Sequence, residues 1–593
     1  MVEIAVGPGP LSRAEVVAVA REGACVRLTP EAEAAIEASR AHIDALAAAG
    51  DGVYGVSTGF GALATRSIPA SERSRLQRSL IRSHAAGNGP VVEDEVVRAM
   101  LLLRLKTLAS GHSGVRLSTV RAYADLLNSG LVPVVHEYGS LGCSGDLAPL
   151  AHCALALIGE GEVRDGGVVR PAAEALADHG LVPVILAEKE GLALINGTDG
   201  MLGMLVLALA DLELLADTAD LAAAMSVEGQ LGTDRVFAAD LMALRPQVGQ
   251  ATSAANLRRF LAGSPIVASH RVGDGVVQDA YSLRCTPQVH GSLRDALGYA
   301  ATIAERELAA AIDNPSVLDD GRVESHGNFH GAPIAHVLDF LAIGVADVAS
   351  ISERRTDRFL DVARNRGLPP FLADDPGIDS GLMIAQYTQA GIVSTLKRLA
   401  VPASVDSIPS SALQEDHVSM GWASARKLRT AVDGLARVLA IEALAAARGI
   451  ELRAPLRPGA AIGAAIAVLR ETVPGPGPDR FLAPEIEAAY QLVRSGTLVA
   501  AVRRPGLAEE ARMLAEPDEA RTLAEPDEAR TLAEPDEARV LAEPDEARML
   551  AEPDEARVTL RQAQGASLHA QGASLHAQGA SLHAQGPIEK ENS

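Results

Sequence analysis

The sequence predicts a mainly α protein, a long central helix bundle with a smaller mixed α/β region at its N-terminal side. Three observations predict it. Apolar residues make up 48% of the chain but aromatic residues only 3%, so the core is built from Ala, Leu and Val, which suits close-packed helices better than sandwiches. After residue 200, apolar residues recur at three- and four-residue steps over about five turns or more, in the stretches 201–225, 293–312, 332–360 and 431–448. The first 200 residues are more broken, with Gly and Pro turns and short Val-rich runs such as "LVPVV" at Leu131 and "LVPVIL" at Leu181.

Three regions follow. Residues 1–200 form the mixed α/β part and 201–512 the bundle. Residues 513–593 are low-complexity: five nine-residue copies of the pattern "MLAEPDEAR" end at Arg557, and "ASLHAQG" then occurs three times. A Pro every nine residues disrupts helix, and each copy has few apolar residues to bury, so a disordered or weakly helical acidic tail is expected. An interaction module made of short repeats is the alternative.

Bulk properties narrow the function. The formal charge of −23, of which the five acidic copies carry −2 each, argues against a nucleic-acid or anionic-membrane partner. Cys25, Cys143, Cys153 and Cys285 have no metal-ligand spacing, so neither a disulfide framework nor a metal site is expected. The N-terminus lacks a charged segment followed by a long apolar run, and the most apolar windows carry Asp and Glu at helical intervals. These read as core helices of a cytoplasmic protein with no membrane partner. Helices so apolar also suggest contacts between subunits.

One stretch calls for chemistry. "GSLGCSGDLAPLAH" sets Gly142-Cys143-Ser144-Gly145-Asp146 in front of an apolar helix. In a plain reading, Asp146 caps that helix, Pro149 sits harmlessly in its first turn, and the two glycines supply a tight entry. In a chemical reading, the unhindered nitrogen of Gly145 attacks the carbonyl of Cys143. Loss of two waters then leaves a five-membered ring, with the former Ser144 Cβ as an electrophilic methylene. No ordinary side chain is a good electrophile, and a helix starting at 146 or 147 would aim its positive end at such a ring.

The stretch resembles the signature of the aromatic amino-acid ammonia-lyases, in particular their histidine-specific branch, and the resemblance extends in eight ordered blocks to about residue 510. It implies the fumarase/aspartase-like helical architecture and a 4-methylidene-imidazol-5-one group (MIO) formed autocatalytically from Cys143, Ser144 and Gly145, with no external cofactor. Cys stands where Ala is commoner, but only its backbone enters the ring. "VYGVSTGFG" places Tyr54 as the base that removes a substrate β-proton, which requires a stabilised phenolate. "RSHAAGNGP" places His84 beside the substrate ring, where one imidazole can hydrogen-bond another. "LALINGTDGM" places Asn196 near the prosthetic group and the substrate amine.

"VQDAYSLRCTPQVHG" carries Gln278, Tyr281 and Arg284, which at three-residue steps would share one helical face. The resemblance gives Arg284 the substrate carboxylate, and sets Gln278 and Tyr281 against the prosthetic group and that carboxylate. "ESHGNFHGAP" supplies Phe329 near the ring, and "DSIPSSALQEDHVSMG" supplies Glu415, which would contact the imidazole or handle a proton. "AAIDNPSVL" also matches, and its Asn314 reads as structural. Taken singly, most of these residues have ordinary readings as turns, packed rings or solvated faces.

The implied reaction is non-oxidative elimination of ammonia from L-histidine to trans-urocanate, in a homotetramer that builds each site from more than one subunit. Three rivals stand beside it: a phenylalanine or tyrosine ammonia-lyase or aminomutase of the same chemistry, a fumarase-like lyase without a backbone-derived electrophile, and a catalytically silent helical protein that presents the acidic repeats.

Overall fold

The helix Asp199–Gly229 runs through the middle of this computed structural model, which describes residues 2–49, 58 and 67–504. Its composition explains its place. Leu, Ala, Met and Val occupy all its sides and nearly all of them are buried; a helix apolar all round has no face to give to water. Ala332–Leu360 and Gly421–Glu451 pack along it and along each other, and Asp94–Ala109, Val248–Leu261 and Thr286–Ala309 complete the bundle.

The periodicity anticipates these helices closely. The 332–360 stretch is helical from end to end, and the 201–225 and 431–448 stretches lie inside longer helices. The 293–312 stretch is the one displaced. Its helix starts at Thr286, with Pro287 in the first turn, and stops at Ala309 because Ala310 is extended at φ −74°, ψ 154°. Among the described residues, Ala332–Leu360 is the one helix long and apolar enough to cross a membrane, and most of its apolar window is buried in the bundle.

One polar knot ties the bundle together at the C-terminal ends of two of its helices. The Glu442 carboxylate accepts from Ser226 Oγ (2.7 Å), Ser352 Oγ (2.6 Å) and Arg355 Nη2 (2.9 Å), and Arg355 Nη1 reaches the carbonyl of Ser282 (3.3 Å). Both charges are fully buried, so each must be paired to be tolerated.

Around the N-terminal half lie short strands. Glu3–Val6 pairs in parallel with Cys25–Leu28, Asn88–Val91 pairs antiparallel with His136–Tyr138, and Val132–Pro133, Glu162–Asp165 and Val168–Pro171 make a three-stranded antiparallel sheet. The run at Leu131 enters that sheet. The similar run at Leu181 forms no strand: Pro183 cannot donate to a ladder, and Val182 and Ile185 are exposed. The described residues all belong to one unit, Met1–Ala524; the repeats of 513–593 lie outside them.

Candidate active site

The loop 142–146 is pressed backbone to backbone onto the turn at Asn196–Gly197. Gly142 and Gly145 have φ +68° and +76°, a region open to glycine and costly for other residues. Gly145 forms an isolated parallel bridge with Gly197, and Asp146 N donates to Gly197 O at 2.7 Å. A Cβ at position 145 would stand 2.0 Å from Gly197 O. The turn is held from beneath by Arg104, which is fully buried; its Nη1 donates to the carbonyls of Ala193 and Asn196 at 2.9 Å each and its Nε to Asp199 at 3.1 Å.

Asp146 does not cap its own helix, Leu147–Leu157. With φ −94° and ψ 57°, its carboxylate turns aside and receives Gly200 N and Met201 N, both at 2.9 Å. It therefore caps the first turn of Asp199–Gly229, while its other oxygen accepts from Ser140 Oγ at 2.9 Å. Burial pushes this carboxyl up to about 7, against the pull of those hydrogen bonds.

Two further helices begin here. Gly331 N, just before Ala332–Leu360, donates to Gly142 O (3.3 Å), and Ser419 Oγ donates to the same carbonyl (2.8 Å) while accepting from Gly421 N (3.1 Å). Met420 N reaches Leu141 O at 2.8 Å. The N-terminal ends of four helices, starting at Leu147, Asp199, Ala332 and Gly421, thus meet around five residues. Each end carries partial positive charge, so developing negative charge is favoured between them.

Glu415 comes from a tight loop on the other side. Its Oε2 accepts from Cys143 Sγ (3.1 Å) and Ser410 Oγ (3.0 Å), and its Oε1 from Ser144 Oγ (3.2 Å). Ser411, Ala412 and Leu413 have φ +51°, +53° and +69°, a strained run of three non-glycine residues closed by the pairing of Ser410 with Glu415. Burial and the neighbouring Glu415 push the Cys143 thiol up to about 12.

His84 ends the helix Arg73–His84 with Nδ1 against Leu80 O (2.9 Å) and Ser83 Oγ (3.1 Å). Burial lowers its pKa, although the charge of Glu415 acts in the opposite sense. Asn196 is buried, donates Nδ2 to Asn314 O (3.1 Å) and leaves Oδ1 without a partner. Phe329 lies in the turn two residues before Gly331.

The aromatic amino acid lyase family profile matches residues 11–471. A histidine ammonia-lyase of Streptomyces avermitilis is 63% identical over 500 residues, 84% of this chain and 98% of that protein. One from Deinococcus radiodurans is 50% identical over 490 residues, 82% and 93% of the two chains. The crystal structure of histidine ammonia-lyase from Trypanosoma cruzi superposes with a TM-score of 0.78 at 38% identity, over 90% of this chain and all of that one. Tyrosine aminomutase from Streptomyces globisporus gives 0.79 at 36% identity, over 84% and 98%.

The chain belongs to the aromatic amino acid lyase family.

As in its relatives, the mainly α fold of this lyase is the fumarase/aspartase-like one. Within it, the structure brings Cys143, Ser144, Gly145 and Glu415 into contact, sets His84 where the charge of Glu415 reaches it, and stacks the Asn196–Gly197 turn on Gly145. It does not bring Gln278, Tyr281 and Arg284 to them, nor does it put those three on one helical face. The helix there is only Tyr281–Arg284, and Gln278 lies in a bend before it. Asp279 accepts from Thr233 N (2.8 Å), just past the C-terminal end of Asp199–Gly229. That helix, whose first turn Asp146 caps, has 31 residues and spans about 45 Å. Tyr281 is 71% exposed, under the Arg284 guanidinium at 4.7 Å, and Arg284 Nε is buried without a partner. Tyr54 lies outside the described residues.

The sequence reading missed four residues of this site: Arg104, Ser140, Ser410 and Ser419. Arg104 had a signal, since a cation inside the apolar run "MLLLRLKTLA" must find partners. The serines had none beyond their places in the quoted blocks.

Proposed function

We propose that this lyase eliminates ammonia from L-histidine to give trans-urocanate, the first step of histidine degradation, using an MIO group condensed from Cys143, Ser144 and Gly145. One observation carries the reading: a carboxylate, Glu415, bonds the Ser144 loop and its charge reaches an imidazole, His84, and both groups can address a substrate imidazole. The histidine ammonia-lyases among its relatives support it.

The residues fit the group. The loop is bent at two positive-φ glycines, a side chain at 145 would strike Gly197, and Asn196 Oδ1 is a buried acceptor without a partner. The four helix ends favour electron density arriving at this point. The group supplies an electrophilic carbon for the substrate's amine or, in a competing scheme, for its ring.

This chain's own residues do the rest. With Nδ1 donating to Leu80 O, neutral His84 keeps Nε2 as an acceptor for a ring N–H of the substrate. Glu415 accepts the second N–H, which the substrate ring carries only when protonated, or takes that proton. Asn196 Oδ1 receives the amine. By resemblance Tyr54 removes the β-proton and Phe329 flanks the group. Arg284 holds the carboxylate by a bidentate pair, with Gln278 and Tyr281 beside it. The length of Asp199–Gly229 separates these last three from Ser144 of the same chain, so they come from another copy, in a homotetramer.

A phenylalanine or tyrosine ammonia-lyase or an aminomutase is the second reading, kept because the tyrosine aminomutase fold superposes equally well. His84 and Glu415 favour histidine, since an apolar or phenolic ring offers them less to bond. Purified protein is assayed with L-histidine, L-phenylalanine and L-tyrosine, following urocanate, cinnamate and coumarate absorbance, and its intact mass is measured. Urocanate formation and a mass two waters below that of the sequence are expected. Ser144→Ala should fold, keep its full sequence mass and lose nearly all turnover; wild-type turnover in that variant overturns the reading.

A further inference from the structure

The helix that follows Ser144 carries a histidine, His152, in its second turn. The ring crosses to another segment: Gly87 N donates to His152 Nε2 at 3.1 Å. Gly87 lies three residues beyond His84, on the strap 85–91 that leaves the Arg73–His84 helix. We infer that His152 is a positioning residue, whose Nε2 anchors this strap and thereby sets where His84 stands relative to the helix of Ser144.

The contact is built rather than incidental. A Cβ on Gly87 would come 3.0 Å from His152 Nε2 and 3.2 Å from Tyr138 O, so a larger residue would hold the strap off the ring. Gly139 clears the same crossing: a Cβ there would stand 3.2 Å from Gly87 Cα and 2.9 Å from Ala148 Cβ. Further along, Asn88–Val91 pairs with His136–Tyr138 with a shift of register between Asn88 and Val91. His136 Nδ1 donates to Gly89 O in that irregularity at 3.0 Å. The two histidine rings meet edge to face, 5.5 Å apart at 70°.

There is little slack between anchor and His84. Ala85 N bonds back to Ile81 O and Ala86 N to His84 O (2.8 Å), so only two residues, both tied to the helix end, separate His84 from Gly87. Movement at Gly87 is therefore passed on to His84. The anchor needs an acceptor lone pair, which a protonated imidazole lacks, and burial together with His136 keeps the pKa of His152 low.

The inference rests on His84 meeting the substrate imidazole, and wild-type turnover of L-histidine tests that separately. His152→Phe keeps ring volume but offers no acceptor; His152→Gln offers an amide oxygen without the ring. Loss of one hydrogen bond predicts about a five-fold rise in KM for L-histidine in His152→Phe, with kcat nearly unchanged. His152→Gln should recover most of that rise, and the intact mass should match wild type in both. Should His152→Phe lose helicity, His152→Leu takes its place in the comparison. A wild-type KM in the acceptor-free variant overturns the inference, as does equal impairment of both variants or a fall in kcat at constant KM.

Discussion

At the scale of single residues, the site depends on which groups are charged. His84 is useful as a neutral imidazole, and burial moves its pKa below the ordinary value of about 6.5. The neutral form dominates above that lowered pKa, so kcat/KM should hold level toward neutral pH and fall on acidification with an apparent pKa below 6.5. A pH–rate profile with its acid limb above that value would count against His84 as the acceptor. Glu415→Gln should lower kcat by about 10². Ser144, Glu415 and His84 could be read from the sequence because short motifs carry them. Arg104 was legible only as a cation in need of partners and Ser410 not at all, because those partners, Asn196 O and the Glu415 carboxylate, are fixed only by tertiary packing.

At the scale of elements, Asp146 shows where local reasoning stops. The pattern Gly-Asp-Leu-Ala-Pro reads as a cap for the helix it begins. The carboxylate instead caps Asp199–Gly229, more than fifty residues on, and so locks the reactive loop to the central helix. Asp146→Ala strands two buried N–H groups and should lower unfolding free energy by about 1–2 kcal/mol, read as a fall in denaturant midpoint at unchanged slope. Asp146→Asn, with one acceptor left, should lose less. The long helices were legible because 3.6-residue periodicity persists over many turns, as in Ala332–Leu360. The 278–284 segment was not: its three-residue spacing imitates a helical face, but helix begins only at Tyr281.

At the scale of the whole molecule, one chain carries the Ser144 loop near one end of a helix about 45 Å long and the Arg284 segment beyond the other. The exposed Val276, Val277 and Tyr281 in that segment are the apolar surface a second copy would cover. Ser144→Ala and Arg284→Ala should each have little activity alone. Expressed together, they should regain part of it, because some mixed assemblies pair an intact 144 with an intact 284. Continued inactivity of the mixture, with assembly intact, would rule out a shared site.

The meeting of Gly145 and Gly197 also bears on how such a sequence can drift. A methyl group at 145 would strike the main chain of Gly197, and one at 197 would strike the Arg104 guanidinium and the Asp199 carboxylate, so neither position can wander while the loop keeps its shape. Position 143 is different: its side chain points away, toward Glu415, and the ring chemistry uses only its backbone. Variation tolerated in the triplet therefore collects at its first residue, where this chain happens to keep a thiol.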